Sequence, residues 1–189
     1  MPITMTKPAL RQLKDRNNLV GAEIGIGEGN HASFFLRELD IDFVFLIDPH
    51  TAYKDERIMR KLEVTRGWEK RAHERLDGYK HKIRWIKEKS ADAARLIAND
   101  SLDFVYIDGN HTYESVAEDI FLYYPKVKKG GLLSGHDYDY KSVRKAVDEF
   151  VGRENLKLHI EDMGPGQFSD KGKKYDWWIW KIIRFRDKK

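Results

Sequence analysis

The stretch VGAEIGIGEGN (residues 20–30) decides how the rest of the chain is read. An apolar run carries one carboxylate, Glu23, and opens into three alternating glycines, Gly25, Gly27 and Gly29, after which the sequence turns helix-like. Glycine at the end of a first strand lets the backbone turn tightly and approach a ligand, with the next helix's N-terminus beside it. A dinucleotide fingerprint would want its third glycine where Asn30 stands, and no Gly-Lys-Ser/Thr follows. A pyrophosphate cradle and a P-loop are therefore both disfavoured. A tight turn with no ligand is the plain alternative.

Outward from this stretch, short apolar runs alternate with helix-like segments. The β-like runs cover 20–26, 43–47, 83–86, 102–107, 131–134, 156–160 and 177–183; helical spacing fills 32–39, 53–77, 91–98, 113–126 and 141–151. Strands without polar alternation, separated by helices, imply a mostly parallel sheet covered on both faces, the doubly wound α/β class. The last two runs are joined by EDMGPGQFSDKGKKYD (161–176), which has no helical pattern, so they are expected to pair antiparallel. Trp177, Trp178 and Trp180 read as strand and core residues, and the loop 162–176 as a lid near the carboxyl edge.

The chain of 189 residues suits one domain, 1–189, with segment 1–18 as a helical cover over a pocket. It contains no cysteine, which excludes disulfides, thiolate nucleophiles and Cys-ligated zinc. No apolar run approaches the ~20 residues of a membrane helix, and the first residues lack a signal peptide's apolar core. A cytoplasmic protein with no membrane partner is expected, and a homo-oligomer is left open. The net charge is +4, with ten Lys/Arg against six Asp/Glu in 54–82 and five against one in 181–189. Solvated surface is the plain reading of these segments and a phosphate-binding face the alternative.

The ends of the β-like runs carry the chemistry. Asp48 closes the second, 23 residues after Gly25, where a carboxylate can accept hydrogen bonds from both hydroxyls of a ribose; otherwise it caps a helix at Pro49. Ser90 and Ala91 follow the third, with Ser90 also an ordinary N-cap candidate. Together these loops describe a nucleoside pocket on one sheet edge. Glu23 lies inside a strand and needs a partner, such as a ligand's ammonium group.

The fourth run ends in Asp108-Gly109-Asn110-His111 and the fifth in Gly135-His136-Asp137. Asp-Gly-Asn alone makes a turn. If the two strands are neighbours, however, Asp108 and Asp137 converge across 29 residues of sequence. Two carboxylates with imidazole nearby suit Mg²⁺, Mn²⁺ or Zn²⁺; without a metal, His111 or His136 can serve directly as a general base. His31, His50, His73, His81 and His159 read as ordinary residues, although His31 follows the glycine loop closely enough to touch a cofactor.

On these residues the chain resembles the class I S-adenosylmethionine-dependent methyltransferases over nearly its whole length. The resemblance implies a seven-stranded sheet in the order 3-2-1-4-5-7-6, the last strand antiparallel. It makes Glu23, Gly25, Gly27, Gly29, Asp48, Ser90, Ala91 and Asp108 the S-adenosylmethionine-binding residues, with Asp48 at the ribose and Ser90 and Ala91 beside the adenine. The ends of strands four and five resemble, more narrowly, the macrocin and macrolide-sugar O-methyltransferases. That implies His111, Asp108 and His136 as catalytic residues and Asp108, Asp137 and His136 around a divalent cation such as Mg²⁺. His136 departs from the group, whose acidic pair has a carboxylate there; imidazole lowers the site's negative charge and moves preference away from Mg²⁺. The implied function is methyl transfer to a hydroxyl of a small molecule. The alternatives are an RNA methyltransferase and a non-catalytic nucleoside-binding module.

Overall fold

Seven strands form the main sheet: β1 (Leu19–Ile24), β2 (Ile41–Ile47), β3 (Ile83–Ile86), β4 (Leu102–Ile107), β5 (Val127–Gly135), β6 (His159–Asp162) and β7 (Tyr175–Trp180). They come from a computed structural model describing residues 7–54, 59–60, 62–163, 168–169 and 172–182. The strand order is β3-β2-β1-β4-β5-β7-β6, with β7 antiparallel to both neighbours and the remaining pairs parallel. The expected topology is observed.

Alternation along each strand feeds two cores. On β4, Val105 and Ile107 join Ile24, Leu133 and Trp177 on one face, while Phe104 and Tyr106 join Leu46, Leu132 and Trp178 on the other. Successive side chains of a strand point to opposite faces, so a run apolar at every position must be covered twice. Covering the first face are α4 (Ser90–Ala93), α5 (Tyr113–Tyr123) and α6 (Lys141–Glu154). The second is covered by α1 (Pro8–Arg11), α2 (Asn30–Glu38) and α3 (Leu62–Leu76). Trp177 and Trp178 are buried, as expected.

Several boundaries differ from the sequence reading, three of them informatively. The helix expected over 53–77 begins at Leu62, and Tyr53–Lys54 pairs antiparallel with Met59–Arg60; residues 55–58 and 61 of that expectation lie outside the described residues. A helix needs an apolar stripe to bury, and this one starts with Thr65, Trp68, Ala72 and Leu76 at helical spacing. The segment expected as helix over 91–98 closes after one α-turn and a 3-10 turn, Ala94–Leu96. β6 begins at His159 because Leu156 and Leu158 pack on the first core as loop residues.

The N-terminal segment packs on the second core. Ala9, Leu10 and Leu13 are buried with Leu132 and Trp178, so this apolar stripe docks on a sheet face. Residues 1–6 of the expected cover, 164–167 and 170–171 of the expected lid, and 183–189 of the basic tail lie outside the described residues.

Candidate active site

The glycine loop is held open by one carboxylate. Asp48 Oδ2 accepts from the backbone N–H groups of Ile26 (2.9 Å) and Gly27 (3.0 Å), and Oδ1 from that of His50 (2.7 Å). No helix follows Pro49, so Asp48 anchors the loop instead of capping a helix. Gly25 has φ +83°, and a Cβ there would sit 2.2 Å from the carbonyl oxygen of Asp108, so the first and fourth strand tips touch only because residue 25 has no side chain. Gly29, at φ +75°, is the N-cap of α2 and turns that helix's N-terminus toward the loop.

These tips line a cavity of about 850 Å³, together with Asn30, His31, Ser90, Ala91, Asp119 and Tyr140. Ser90 is not an N-cap: Lys89 holds that position, and Ser90 hydrogen-bonds the side chain of Asp119. Asp119 sits in the buried stripe of α5 with Val116, Ile120 and Tyr123. Burial pushes its carboxyl up to about 7, against the opposing hydrogen bond from Ser90.

At the far end, carboxylates and imidazoles interleave. Thr112 caps α5, its hydroxyl accepting from the N–H of Ser115, and Asn110 Oδ1 accepts from the N–H of Thr112. The capping is therefore done without Asp108, whose carboxylate faces the cavity. Its Oδ2 lies 2.9 Å from His31 Nδ1 and its Oδ1 3.5 Å from His111 Nε2. His111 Nε2 also lies 3.2 Å from Asp137 Oδ2, and Tyr140 packs on the His111 ring at 4.9 Å between centroids. Asp137 Oδ1 stands 2.9 Å from His136 Nδ1, while His136 Nε2 meets the Met163 sulfur at 2.9 Å. Asp137 holds φ +55°, a left-handed conformation that costs an ordinary residue of order 1–3 kcal/mol and tends to mark functional sites.

Electrostatics follows from this interleaving. Burial alone would raise the carboxyl of Asp108, yet His136, His111 and His31 together hold it well below the usual carboxylate range. Asp137 is held low in the same way, burial being outweighed by His136. Burial lowers His31, and Lys7 adds to that. Glu23 is fully buried, and neither of its oxygens has a hydrogen-bond partner among the described residues. Burial, then Asp108, raise its carboxyl well above the usual range.

A second polar group lies beneath. Lys7 Nζ donates to Tyr106 Oη (2.9 Å), Tyr106 donates to Asp176 Oδ1 (2.8 Å), and the N–H of Ala9 donates to Asp176 Oδ2 (3.3 Å). Lys7 faces Asp176, Asp108, Glu23 and Asp137; burial lowers its ammonium all the same.

The structure gathers Glu23, Gly25, Gly27, Gly29, Asp48, Ser90, Ala91, Asp108, His111, His136 and Asp137 around this sheet edge. Metal-ligating atoms of Asp108, His111 and Asp137 lie within 4.8 Å of one another. His136 stands beside this group, its Nδ1 2.9 Å from Asp137 Oδ1 and 3.9 Å from Asp108 Oδ1 and its Nε2 on the Met163 sulfur. Lys7 and Asp119 were not singled out by sequence, and His31 only as a residue near enough to touch a cofactor. For Asp119 a signal existed, a carboxylate inside an apolar helical stripe; for Lys7 there was none.

A family model described as a methyltransferase domain matches residues 22–138. An uncharacterised protein of Acanthamoeba polyphaga mimivirus is 30% identical over 145 residues, 72% of this chain and 61% of that protein, so the chain spans about three-fifths of the relative's length. The O-methyltransferase of tomaymycin synthesis from Streptomyces achromogenes, solved with S-adenosylmethionine, is similar over 94% of this chain and 79% of its own, at TM-score 0.69 and 15% identity. An rRNA methylase from Streptococcus thermophilus is similar over 97% of this chain and 98% of its own, at TM-score 0.66 and 15% identity. At such identities the two structures share the fold.

Proposed function

The chain belongs to the methyltransferase-domain family, and within it we propose an S-adenosylmethionine-dependent enzyme that methylates a hydroxyl of a small molecule, in the manner of the macrolide-sugar O-methyltransferases. The observation that carries this reading is one cavity in which the glycine loop and Asp48 adjoin the Asp108, His111 and Asp137 cluster. Glu23 supports it, since a buried carboxylate with unfilled oxygens suits the ammonium of a methionyl group.

The chain's residues then divide the work. Asp48 anchors the glycine loop that holds the nucleoside and keeps a lone pair for a ribose hydroxyl, and Glu23 fixes the amino-acid end. Asp108 and Asp137 flank the His111 ring, and Tyr140 packs against it. His111 Nε2 is placed to take the proton of the acceptor hydroxyl as methyl moves in line from sulfur to oxygen. Asp108, His111 and Asp137 also fit a divalent cation. When bound, such an ion supplies the acidification of the hydroxyl that imidazole otherwise supplies as base. The imidazole of His111 in that set favours a borderline ion such as Mn²⁺ or Zn²⁺ over Mg²⁺.

Calorimetric titration with S-adenosylhomocysteine, with EDTA and then with added Mn²⁺, tests both parts, followed by a screen of hydroxylated acceptors. Absence of nucleoside binding sinks the reading. Methyl transfer that is indifferent to EDTA would leave His111 as the base.

RNA is the second candidate acceptor, favoured by the end-to-end match to the rRNA methylase. Against it, several cations of the basic 54–82 segment are engaged with acids: Lys70 with Glu74, Arg71 with Glu28, and Lys80 with Asp77. Steep salt dependence of RNA binding would reverse this preference.

A further inference from the structure

The cluster of Asp108, His111 and Asp137 has a neighbour of opposite charge. Lys174, the residue before β7, lines the same cavity, and its Nζ stands 3.8 Å from Asp137 Oδ1. That oxygen is buried and has no hydrogen-bond partner among the described residues; it lies 2.9 Å from His136 Nδ1 without being bonded to it. The root of Lys174 is fixed by main chain. Its carbonyl accepts from the N–H of Met163 (3.1 Å), and that of Tyr175 accepts from the N–H of Tyr138 (3.3 Å), so the start of β7 is tied to the His136–Asp137 turn. The side chain is 32% exposed, and its flexible four-carbon stem can turn toward Asp137 or away.

A buried carboxylate oxygen without a donor is costly unless a cation or a hydrogen bond serves it. Two cations fit this one: a divalent ion held by Asp108, His111 and Asp137, and the Lys174 ammonium, which is within ion-pair reach and just beyond hydrogen-bond length. Both would seat on the same carboxylate, so each weakens the other by like-charge repulsion. We propose that Lys174 is the resident cation of this cluster: it faces Asp137 when no metal is bound, and a divalent ion must displace it. Lys89, which also lines the cavity, is the N-cap of α4 and stands at the other end. The inference rests on the metal-binding part of the reading above and adds to it the residue that sets how readily the site fills.

The experiment titrates Mn²⁺ by calorimetry into chelator-treated wild type, Lys174→Met, Lys174→Arg and Lys89→Met. Lys174→Met is expected to bind Mn²⁺ about tenfold more tightly than wild type, the size of one partly screened unit charge beside a divalent ion. Lys174→Arg keeps the charge and stays within about threefold of wild type, and Lys89→Met within about twofold. A wild type with no measurable Mn²⁺ binding beside a Lys174→Met that binds it supports the inference most directly. A Lys174→Met no tighter than about twofold, a Lys174→Arg as tight as Lys174→Met, or a Lys89→Met that gains as much overturns it and leaves the metal site standing. Mn²⁺ binding by none of the four overturns it together with the metal site. S-adenosylhomocysteine, titrated into the same samples, decides the cofactor reading separately. If Lys174→Met does not fold, Lys174→Gln, also uncharged, is read in its place.

Discussion

The two ends of the cavity are built by different means. At the glycine loop the protein relies on its main chain: one carboxylate, Asp48, takes three N–H groups before any ligand arrives. At the far end it relies on side chains, with Asp108 and Asp137 set among His31, His111 and His136 and the Asp137 backbone strained. The first end is a finished mould. The second is a set of charges whose balance changes with whatever binds, as chemistry requires and recognition of a constant cofactor does not.

Several substitutions break or sharpen that contrast. The largest effect is expected from Gly25→Val, because that position touches both ends. Its Cβ would strike the Asp108 carbonyl oxygen in a left-handed backbone, so we expect a loss of about 3 kcal/mol or more and no measurable nucleoside binding, read by thermal melting and calorimetry. His111→Ala should separate the ends: methyl transfer falls by roughly 10²–10⁴-fold while the Kd for S-adenosylhomocysteine stays within about twofold. A large change in that Kd would show that the ends are not independent. Asp48→Ala is the converse, with three N–H groups losing their acceptor and nucleoside affinity falling by roughly 100-fold.

The smallest effect concerns pH. The folded carboxyl of Asp119 is raised to about 7, above its unfolded value, so the native state holds the proton more tightly. Its contribution to stability is complete below the unfolded pKa near ~4 and is lost as pH rises through about 7. Asp119→Asn cannot ionise, so its melting temperature relative to wild type should climb by a few degrees between about pH 4 and 8. A flat difference would mean that Asp119 is not buried without a cation.

How legible each end was follows from the same contrast. The mould was readable because it is local: alternate glycines after a strand and an acid at the next strand tip have fixed meanings in a doubly wound sheet. The doubly wound class and the antiparallel final pair were readable for the same reason, from apolar runs without alternation and a final loop without a helix, whereas the strand order came from the resemblance to the methyltransferases. Asp108 and Asp137 could be paired by assuming neighbouring strands. The partition of imidazoles around them could not, because whether His31 or His136 faces a carboxylate depends on side-chain packing. His31 reaches Asp108 from the first turn of α2, and His136 lies between Asp137 and the Met163 sulfur. Lys7 was invisible: a lysine near a chain end is ordinarily solvated, and only the docking of Ala9, Leu10 and Leu13 carries it inside.

That lysine also bears on the order of assembly. Lys7 bonds Tyr106 across 99 positions, Ala9 bonds Asp176 across 167, and Tyr106 joins the two. Loops this long close late, since their entropy must be met before the contact returns anything. The charge beneath Glu23 and Asp108 is therefore completed only when β7 has paired between β5 and β6, and a chain stalled before that strand holds its acids without their counter-ion. Activity should lag behind helix formation in refolding, with the last strand setting the delay.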